Sequence, residues 1–201
     1  MTRSIERVDE AYAAYRLRHL QLTHYRVNDL GDIQTEAPVH GGLTDFGVAV
    51  IRACNRLGIV VDTAHGTYDL VKRAATVTTK PLVLSHTSVT NAPGPTSRQI
   101  SPDHARVIAG TGGVIGVWPP SSIFPDRNAF VDGFARMADV VGVDHVGLGS
   151  DMLGLTTPSV FPDYRELPLL AQGLLAHGFT PEETSKLLGG NYARVFAATL
   201  T

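Results

Sequence analysis

The sequence predicts an α/β fold in which parallel βα units follow one another along a single domain, residues 1–201. Short apolar runs of the kind buried in parallel sheets alternate with segments whose apolar residues recur at helical spacing. Turn residues separate these segments, and no low-complexity stretch or linker interrupts them. The content of 43% hydrophobic and 18% charged residues is ordinary for a globular domain with one core.

Five strands are predicted, with helices between them. The strands are LQLTH (20–24), IVVDT (59–63), PLVLS (81–85), GGVIGVW (112–118) and HVGLGS (145–150). Helices are predicted over about residues 4–18, 44–58, 67–78, from 101, and 126–141, with two or three more in the last fifth of the chain. Thr44 is a candidate N-cap, and Ser101 precedes a proline at the first helical position. Gly58 and Gly142 are candidate helix ends.

Charge and cysteine content exclude several classes of protein. The formal net charge is −2 and there is no long basic run, so the sequence lacks the electrostatic footprint of nucleic-acid binding. Cys54 is the only cysteine, which precludes an internal disulfide, and its apolar helical setting predicts a buried structural thiol. No stretch approaches the roughly 18 apolar residues of a membrane span, and the N-terminus lacks a secretory signal. We expect a cytoplasmic protein with no nucleic-acid or membrane partner.

Titratable side chains follow the predicted strands at the end where parallel βα folds place their chemistry. His24 closes the first strand, His65 and His86 follow the second and third, and Asp151 follows the fifth. One such histidine alone is most often satisfied by a backbone carbonyl in a core. Four groups at one edge predict a shared site instead, and two histidines with a carboxylate suit a Zn²⁺ ion.

The remaining histidines are assigned no role. They are His19 near a helix end, His40 in a loop, His104 in a helix first turn, His145 at the opposite end of its strand, and His177 in a helix last turn. Asp62 lies inside the second strand, three residues before His65. It either orients a metal ligand or forms hydrogen bonds within the core, and the sequence does not distinguish the two.

Six motifs resemble the membrane dipeptidase (renal dipeptidase) family, in order from about residue 10 to the end. They are LTHYRVNDLGD (22–32), GLTDFGVAVIRACNRLGIVVDTAH (42–65), PLVLSHTS (81–88), SPDHARVIAGTGGVIGV (101–117), GVDHVGLGSD (142–151) and LLGGNYARVF (187–196). The resemblance implies a TIM-type (β/α)₈ barrel that hydrolyses dipeptides with two zinc ions. By the same resemblance this sequence holds about the last five βα units and is the C-terminal part of such a barrel, and a homodimer is expected.

The resemblance also implies roles for individual residues. His65 and His86 match the two histidines that hold one zinc, and His24 matches the histidine that contacts the scissile carbonyl oxygen. Arg98 matches the arginine that reaches the substrate, although alone it reads as a solvated surface charge in a Pro/Ser loop. Asp151 matches the acid/base that passes a proton from the water to the leaving amine.

The sequence departs from the family pattern at the other zinc. No His-x-Asp pair precedes His24, and no glutamate stands at the position that bridges the metals, since Glu6 reads as a helix-surface residue. Clear ligands are therefore present for only one zinc. Leu153 also stands where a second acid is common, which affects the pocket and leaves Asp151 in place.

Two alternatives to a zinc dipeptidase remain open. The first is a catalytically inactive barrel fragment or binding module, and the second is a related metal-dependent amidase or lactonase. Five strands of a closed barrel leave two edges and the inner face of the sheet open to water, so the chain alone is expected to be unstable.

Overall fold

The computed structural model describes residues 4–200, which form one parallel sheet of five strands with helices packed against it. The strands are β1 (His19–Gln21), β2 (Val60–Asp62), β3 (Val83–Thr87), β4 (Val114–Val117) and β5 (Val146–Leu148). Each strand pairs with the next one along the chain, and every pairing is parallel. The predicted fold class and the succession of βα units are confirmed.

Helices occupy the connections between strands and the C-terminal part of the chain. They are α1 (Glu6–Tyr15), α2 (Asp45–Leu57), α3 (Tyr68–Val77), α4 (Pro102–Gly110), α5 (Arg127–Val141), α6 (Leu167–His177), α7 (Pro181–Ser185) and α8 (Asn191–Leu200). The Thr44 hydroxyl accepts a hydrogen bond from Gly47 N, and the Ser101 hydroxyl accepts one from His104 N, as their N-cap positions predict. Gly58 ends α2 with a φ of 69°.

The first helix and first strand begin and end at different residues from those predicted. Helix α1 ends at Tyr15 because Arg16 adopts a left-handed conformation, with a φ of 57°. Strand β1 starts at His19, so His19 belongs to the sheet and not to a helix end. The strand ends at Gln21, and the backbone then turns so that Arg26 N donates to His24 O. His24 therefore lies in the loop after β1.

The sheet has two differently covered faces. Its outer face, which includes Val61, Leu84 and Ile115, belongs to the main hydrophobic core formed with helices α2 to α5. The inner face carries a smaller apolar cluster, in which β-strand valines pack against α8. Its members are Val60, Val83, Val114, Val195 and Phe196. The expectation of an open inner face is therefore wrong for this layer, because α8 covers it.

A polar layer lies next to this apolar cluster on the inner face, centred on Asp62. The Asp62 carboxylate is 3% exposed. It accepts hydrogen bonds from Ala64 N at 2.9 Å and Ser85 N at 3.0 Å, and its other oxygen lies 3.2 Å from His19 Nε2. Burial acts to raise the pKa of Asp62, but these hydrogen bonds outweigh it and hold the pKa below its usual value. Asp62 is thus an ionised carboxylate that joins three strands.

Two further sequence predictions can be compared with the described residues. Cys54 is fully buried, and burial raises the pKa of its thiol to about 12, as expected of a structural thiol. Within residues 4–200, no helix is both long and apolar enough to cross a membrane.

Substitution of Asp62 by alanine is expected to reduce the free energy of unfolding by about 2–4 kcal/mol, because two buried N–H groups would lose their acceptor. Urea unfolding measures the change. Asp9→Ala is the matched control, since Asp9 forms a half-exposed ion pair with Arg56. Such pairs contribute up to about 1 kcal/mol. Equal losses in the two variants would contradict the structural role of Asp62.

Acid sensitivity is expected from His104, which is 3% exposed and has burial lowering its pKa to about 4 from 6.5. Between these two pKa values, His104 binds a proton in the unfolded chain and stays neutral in the folded one. The contribution of neutral His104 to the free energy of unfolding is therefore full above pH 6.5 and is lost as the pH falls toward 4. By pH 5 the loss is about 2 kcal/mol. His104→Leu is expected to remove this loss in urea unfolding compared at pH 7 and pH 5. An unchanged pH dependence would contradict the prediction.

Candidate active site and metal centre

The predicted site residues come together at the C-terminal edge of the sheet. His65 lies three residues after β2, His86 lies within β3, and Asp151 lies three residues after β5. Arg98 belongs to the long loop between β3 and α4. The parallel arrangement produces this convergence, because every strand presents its carboxyl end at the same edge.

His65 and His86 face each other through their Nε2 atoms, which are 3.1 Å apart. The two residues are 4% and 7% exposed. Two nitrogen ligands of one tetrahedral Zn²⁺, at about 2.0–2.1 Å from it, lie about 3.3 Å apart. The pair therefore fits two positions of a zinc shell. Within the described residues, no group of three or more His, Cys, Asp or Glu side chains could hold a metal ion, so the pair accounts for part of a shell.

Both imidazoles have the protonation state that metal binding requires. Burial, reinforced by the Arg98 charge, lowers the pKa of His65 to about 3. Burial also lowers the pKa of His86, although the Asp151 carboxylate opposes it. Both rings are therefore neutral near pH 7 with lone pairs available as ligands.

Asp151 stands beside the histidine pair. Its Oδ2 lies 4.0 Å from His86 Nε2 and accepts a hydrogen bond from Trp118 Nε1 at 3.2 Å. Asp151 has a φ of 45°, and its carbonyl accepts from Gly154 N at 2.9 Å in a tight turn. A Cβ at Gly154 would collide with the Asp151 carboxylate, so a side chain there would displace that carboxylate. Leu153 in the same turn is fully exposed.

Arg98 is directed into the site and is not a solvated surface charge. One terminal nitrogen donates to Gln34 Oε1 at 2.8 Å, and the guanidinium carbon lies 5.7 Å from the Trp118 ring centroid. The other terminal nitrogen, Nη2, is buried and has no hydrogen-bond partner among the described residues. Burial lowers the pKa of Arg98, against the attraction of Asp151. An unpaired N–H of a buried guanidinium is suited to binding a carboxylate or other oxyanion.

His24 lies at the exposed rim of the same site. Its ring centroid is 4.7 Å from that of His65 and 4.2 Å from that of Tyr25. Tyr25 in turn reaches the loop after β5, where its hydroxyl lies 3.4 Å from the Gly154 carbonyl oxygen. The loops after the first and fifth strands therefore meet above the histidine pair.

Four residues at the site were not identified from the sequence. They are Tyr25, Gln34, Ser85 and Trp118, which contact the predicted site residues. Trp118 follows β4 directly, so it lies at the same end of its strand as the histidines that were chosen as candidates for their position after a strand. It was overlooked because an aromatic residue after an apolar run reads as core. Gln34 lies in a long loop whose path the sequence does not indicate.

A cavity of about 440 Å³ opens beside His86, on the inner face of the sheet. Its wall includes Ser85, His86, Gly116, Asp151, Tyr164 and Tyr192. Pockets for small molecules have volumes of about 300–1,000 Å³. The cavity can therefore accommodate a small substrate in contact with both His86 and Asp151.

Comparison with known proteins identifies the family. The model of the membrane dipeptidase family, peptidase family M19, matches residues 1–201. This chain belongs to the membrane dipeptidase family. Dipeptidase verJ from Clonostachys rogersoniana is 31% identical over 192 residues, covering 90% of this chain and 48% of the relative. Dipeptidase aclJ from Aspergillus oryzae is 31% identical over 188 residues, covering 89% and 44%. The chain thus spans slightly less than half the length of these relatives.

Solved structures share the fold of this chain. A metallopeptidase from Rhodobacter sphaeroides, bound to a phosphinate mimic of the dipeptide L-Ala-D-Ala, is 25% identical with a TM-score of 0.79, covering 96% of this chain and 60% of that one. The probable dipeptidase PvdM from Pseudomonas aeruginosa is 19% identical with a TM-score of 0.87, covering 98% and 66%. The five βα units described here are therefore part of the TIM-type barrel of the membrane dipeptidase family.

Proposed function

We propose that this chain supplies one part of the active site of a zinc-dependent dipeptidase. The observation that carries the proposal is the 3.1 Å approach of His65 Nε2 to His86 Nε2, with the Asp151 carboxylate 4.0 Å from His86. Membership of the dipeptidase family and the names of the relatives support dipeptides as substrates. The remaining ligands of a two-zinc site have no counterpart among the described residues, so the proposal assigns them to a segment outside this chain.

In this proposal His65 and His86 hold the metal, and the protein's other site residues handle the substrate. When bound, the metal supplies Lewis acidity at the scissile carbonyl and lowers the pKa of a water molecule. His24 donates a hydrogen bond to the carbonyl oxygen as negative charge develops there. Arg98 binds the C-terminal carboxylate of the dipeptide through its unpaired buried nitrogen.

Asp151 carries the proton through the reaction. The oxygen of water forms a bond to the carbonyl carbon, and the proton that it loses passes to the Asp151 carboxylate. Asp151 then delivers this proton to the amide nitrogen as the C–N bond breaks, which releases an amine and a carboxylic acid that loses its proton to solvent. The Trp118 hydrogen bond holds Asp151 in place for both transfers.

The proposal also covers the domain organisation, the cellular location and the oligomeric state. The chain is one domain, residues 1–201, since one main hydrophobic core joins elements from α1 to the π-helical turn before α8. The cytoplasm is the proposed location, supported by a single cysteine that is buried and free. A homodimer is proposed from the family resemblance. Sedimentation equilibrium, which measures the molar mass in solution, tests it.

Zinc per chain, measured by elemental analysis after dialysis, is the first test. The 201-residue wild type supplies only part of a zinc shell, so it is expected to bind one zinc weakly, in equilibrium with zinc in the dialysis buffer. His65→Ala and His86→Ala are each expected to weaken this binding at least about tenfold, because each removes one ligand. His145→Ala is the matched control, since His145 lies at the opposite end of β5 and contacts the Gly113 carbonyl. Zinc binding by all four proteins alike, or by none, would rule out the proposed metal centre.

Activity separates the remaining possibilities. With the missing ligands supplied by a chain that includes the upstream segment, Asp151→Asn is expected to reduce kcat for dipeptides by about 100-fold or more, because general acid–base catalysis is lost. A metal-loaded protein that cleaves lactones or other amides but no dipeptide would assign a different substrate class. A well-folded protein with no metal and no activity would be a binding module.

A further inference from the structure

Strand β3 contains an irregularity beside the histidine pair. Leu84 pairs with Ile115 and Thr87 with Val117, so three steps along β3 match two steps along β4. One extra residue in a strand is a β-bulge, a feature that redirects side chains and is frequent beside active sites. Consecutive residues of a regular strand point to opposite faces, yet Ser85 and His86 both line the inner cavity. The bulge accounts for this shared direction.

Ser85 is fixed from two sides through its backbone. Its N–H donates to the buried Asp62 carboxylate at 3.0 Å. Its carbonyl oxygen lies against Gly116 on β4 and Gly149 after β5, where a Cβ on either glycine would collide with it. The Asp62 carboxylate on β2 and the two glycines therefore hold the backbone of the bulge in one position.

The Ser85 side chain contacts the metal-facing histidine. Its hydroxyl oxygen lies 2.8 Å from His86 Nδ1, on the side of the ring opposite to the Nε2 that faces His65. A histidine that binds a metal through Nε2 carries its hydrogen on Nδ1, and a partner at Nδ1 fixes both the tautomer and the ring orientation. Among the described residues, no carboxylate or backbone carbonyl forms a hydrogen bond with His86 Nδ1.

We propose that Ser85 is the positioning residue of His86: its hydroxyl accepts the Nδ1 hydrogen and thereby holds the Nε2 lone pair toward the metal position shared with His65. The proposal rests on the proposed zinc site for its purpose. The same tautomer is assigned in the metal-free chain, where His86 Nε2 accepts a hydrogen bond from His65 Nε2–H across 3.1 Å. The backbone of Ser85 is in turn held in place by Asp62, Gly116 and Gly149, which act on His86 only through Ser85.

Two measurements on the full 201-residue chain test the proposal. The ¹⁵N chemical shifts of the His86 ring, recorded on chelator-treated protein, report which nitrogen carries the hydrogen. The zinc dissociation constant is measured by competition with a chromophoric chelator. The variants are Ser85→Ala, which removes the hydroxyl, and Ser85→Thr, which keeps it and places the added methyl group at the cavity wall. Ser88→Ala is the control, since its hydroxyl accepts from Gln99 Nε2 and does not contact His86.

Wild type, Ser85→Thr and Ser88→Ala are expected to show the Nδ1–H form of His86 and the same zinc affinity. Ser85→Ala is expected to shift His86 toward the Nε2–H form and to weaken zinc binding about 10- to 100-fold, the usual effect of losing the partner of a metal-bound histidine. Circular dichroism and thermal unfolding of each variant establish that it is folded.

Other outcomes separate this proposal from the zinc site on which it rests. An Nδ1–H form that persists in Ser85→Ala, or an unchanged zinc affinity despite a changed tautomer, would overturn the role of Ser85. If the wild type binds no zinc while Ser85→Ala still changes the tautomer, Ser85 positions His86 as proposed and the zinc-dependent function fails.

Discussion

The buried carboxylate of Asp62 is the interaction on which the site depends. It lies on β2, accepts a backbone hydrogen bond from β3, and faces a histidine of β1. A buried charge is tolerated only when hydrogen bonds replace its water shell, and here the replacements come from neighbouring strands. The carboxylate thus fixes the relative positions of three strands just below the edge where His65 and His86 meet. His19 extends this network to α8, because its Nδ1 lies 2.9 Å from the Tyr192 hydroxyl.

Much of the architecture could be predicted from the sequence because it depends on local patterns. Helix α2 has its cap at Thr44 and its end at Gly58, and its apolar spacing fixes the face that it buries. The convergence of His65, His86 and Asp151 followed from strand direction alone. These inferences succeed because they need only the period of the pattern and the parallel geometry.

The rest depends on contacts between segments distant in sequence. The ladder between β1 and β2 ends at Gln21, three residues before His24, which no spacing in LQLTH reveals. The sequence left the role of Asp62 undecided because its partners, Ser85 N and His19, lie 23 and 43 residues away. Burial of the inner valines by α8 was missed for the same reason, since a C-terminal amphipathic helix reads equally well as an outer helix of a barrel.

Gly116 and Gly149 have a consequence for reading such sequences. Neither glycine is required by its own backbone conformation, and each occurs in an apolar run that could accept alanine or valine. A Cβ at either position would collide with the Ser85 carbonyl oxygen on β3 and with the backbone of the other glycine. A substitution survey of β4 and of the residue that follows β5 would find two positions that do not tolerate a side chain, because of contacts with backbone atoms elsewhere in the chain. The residues that fit at Gly116 and Gly149 are thus limited by the backbone at Ser85 and by the contact between the two glycines, so these positions should vary only together with each other and with the bulge at Ser85.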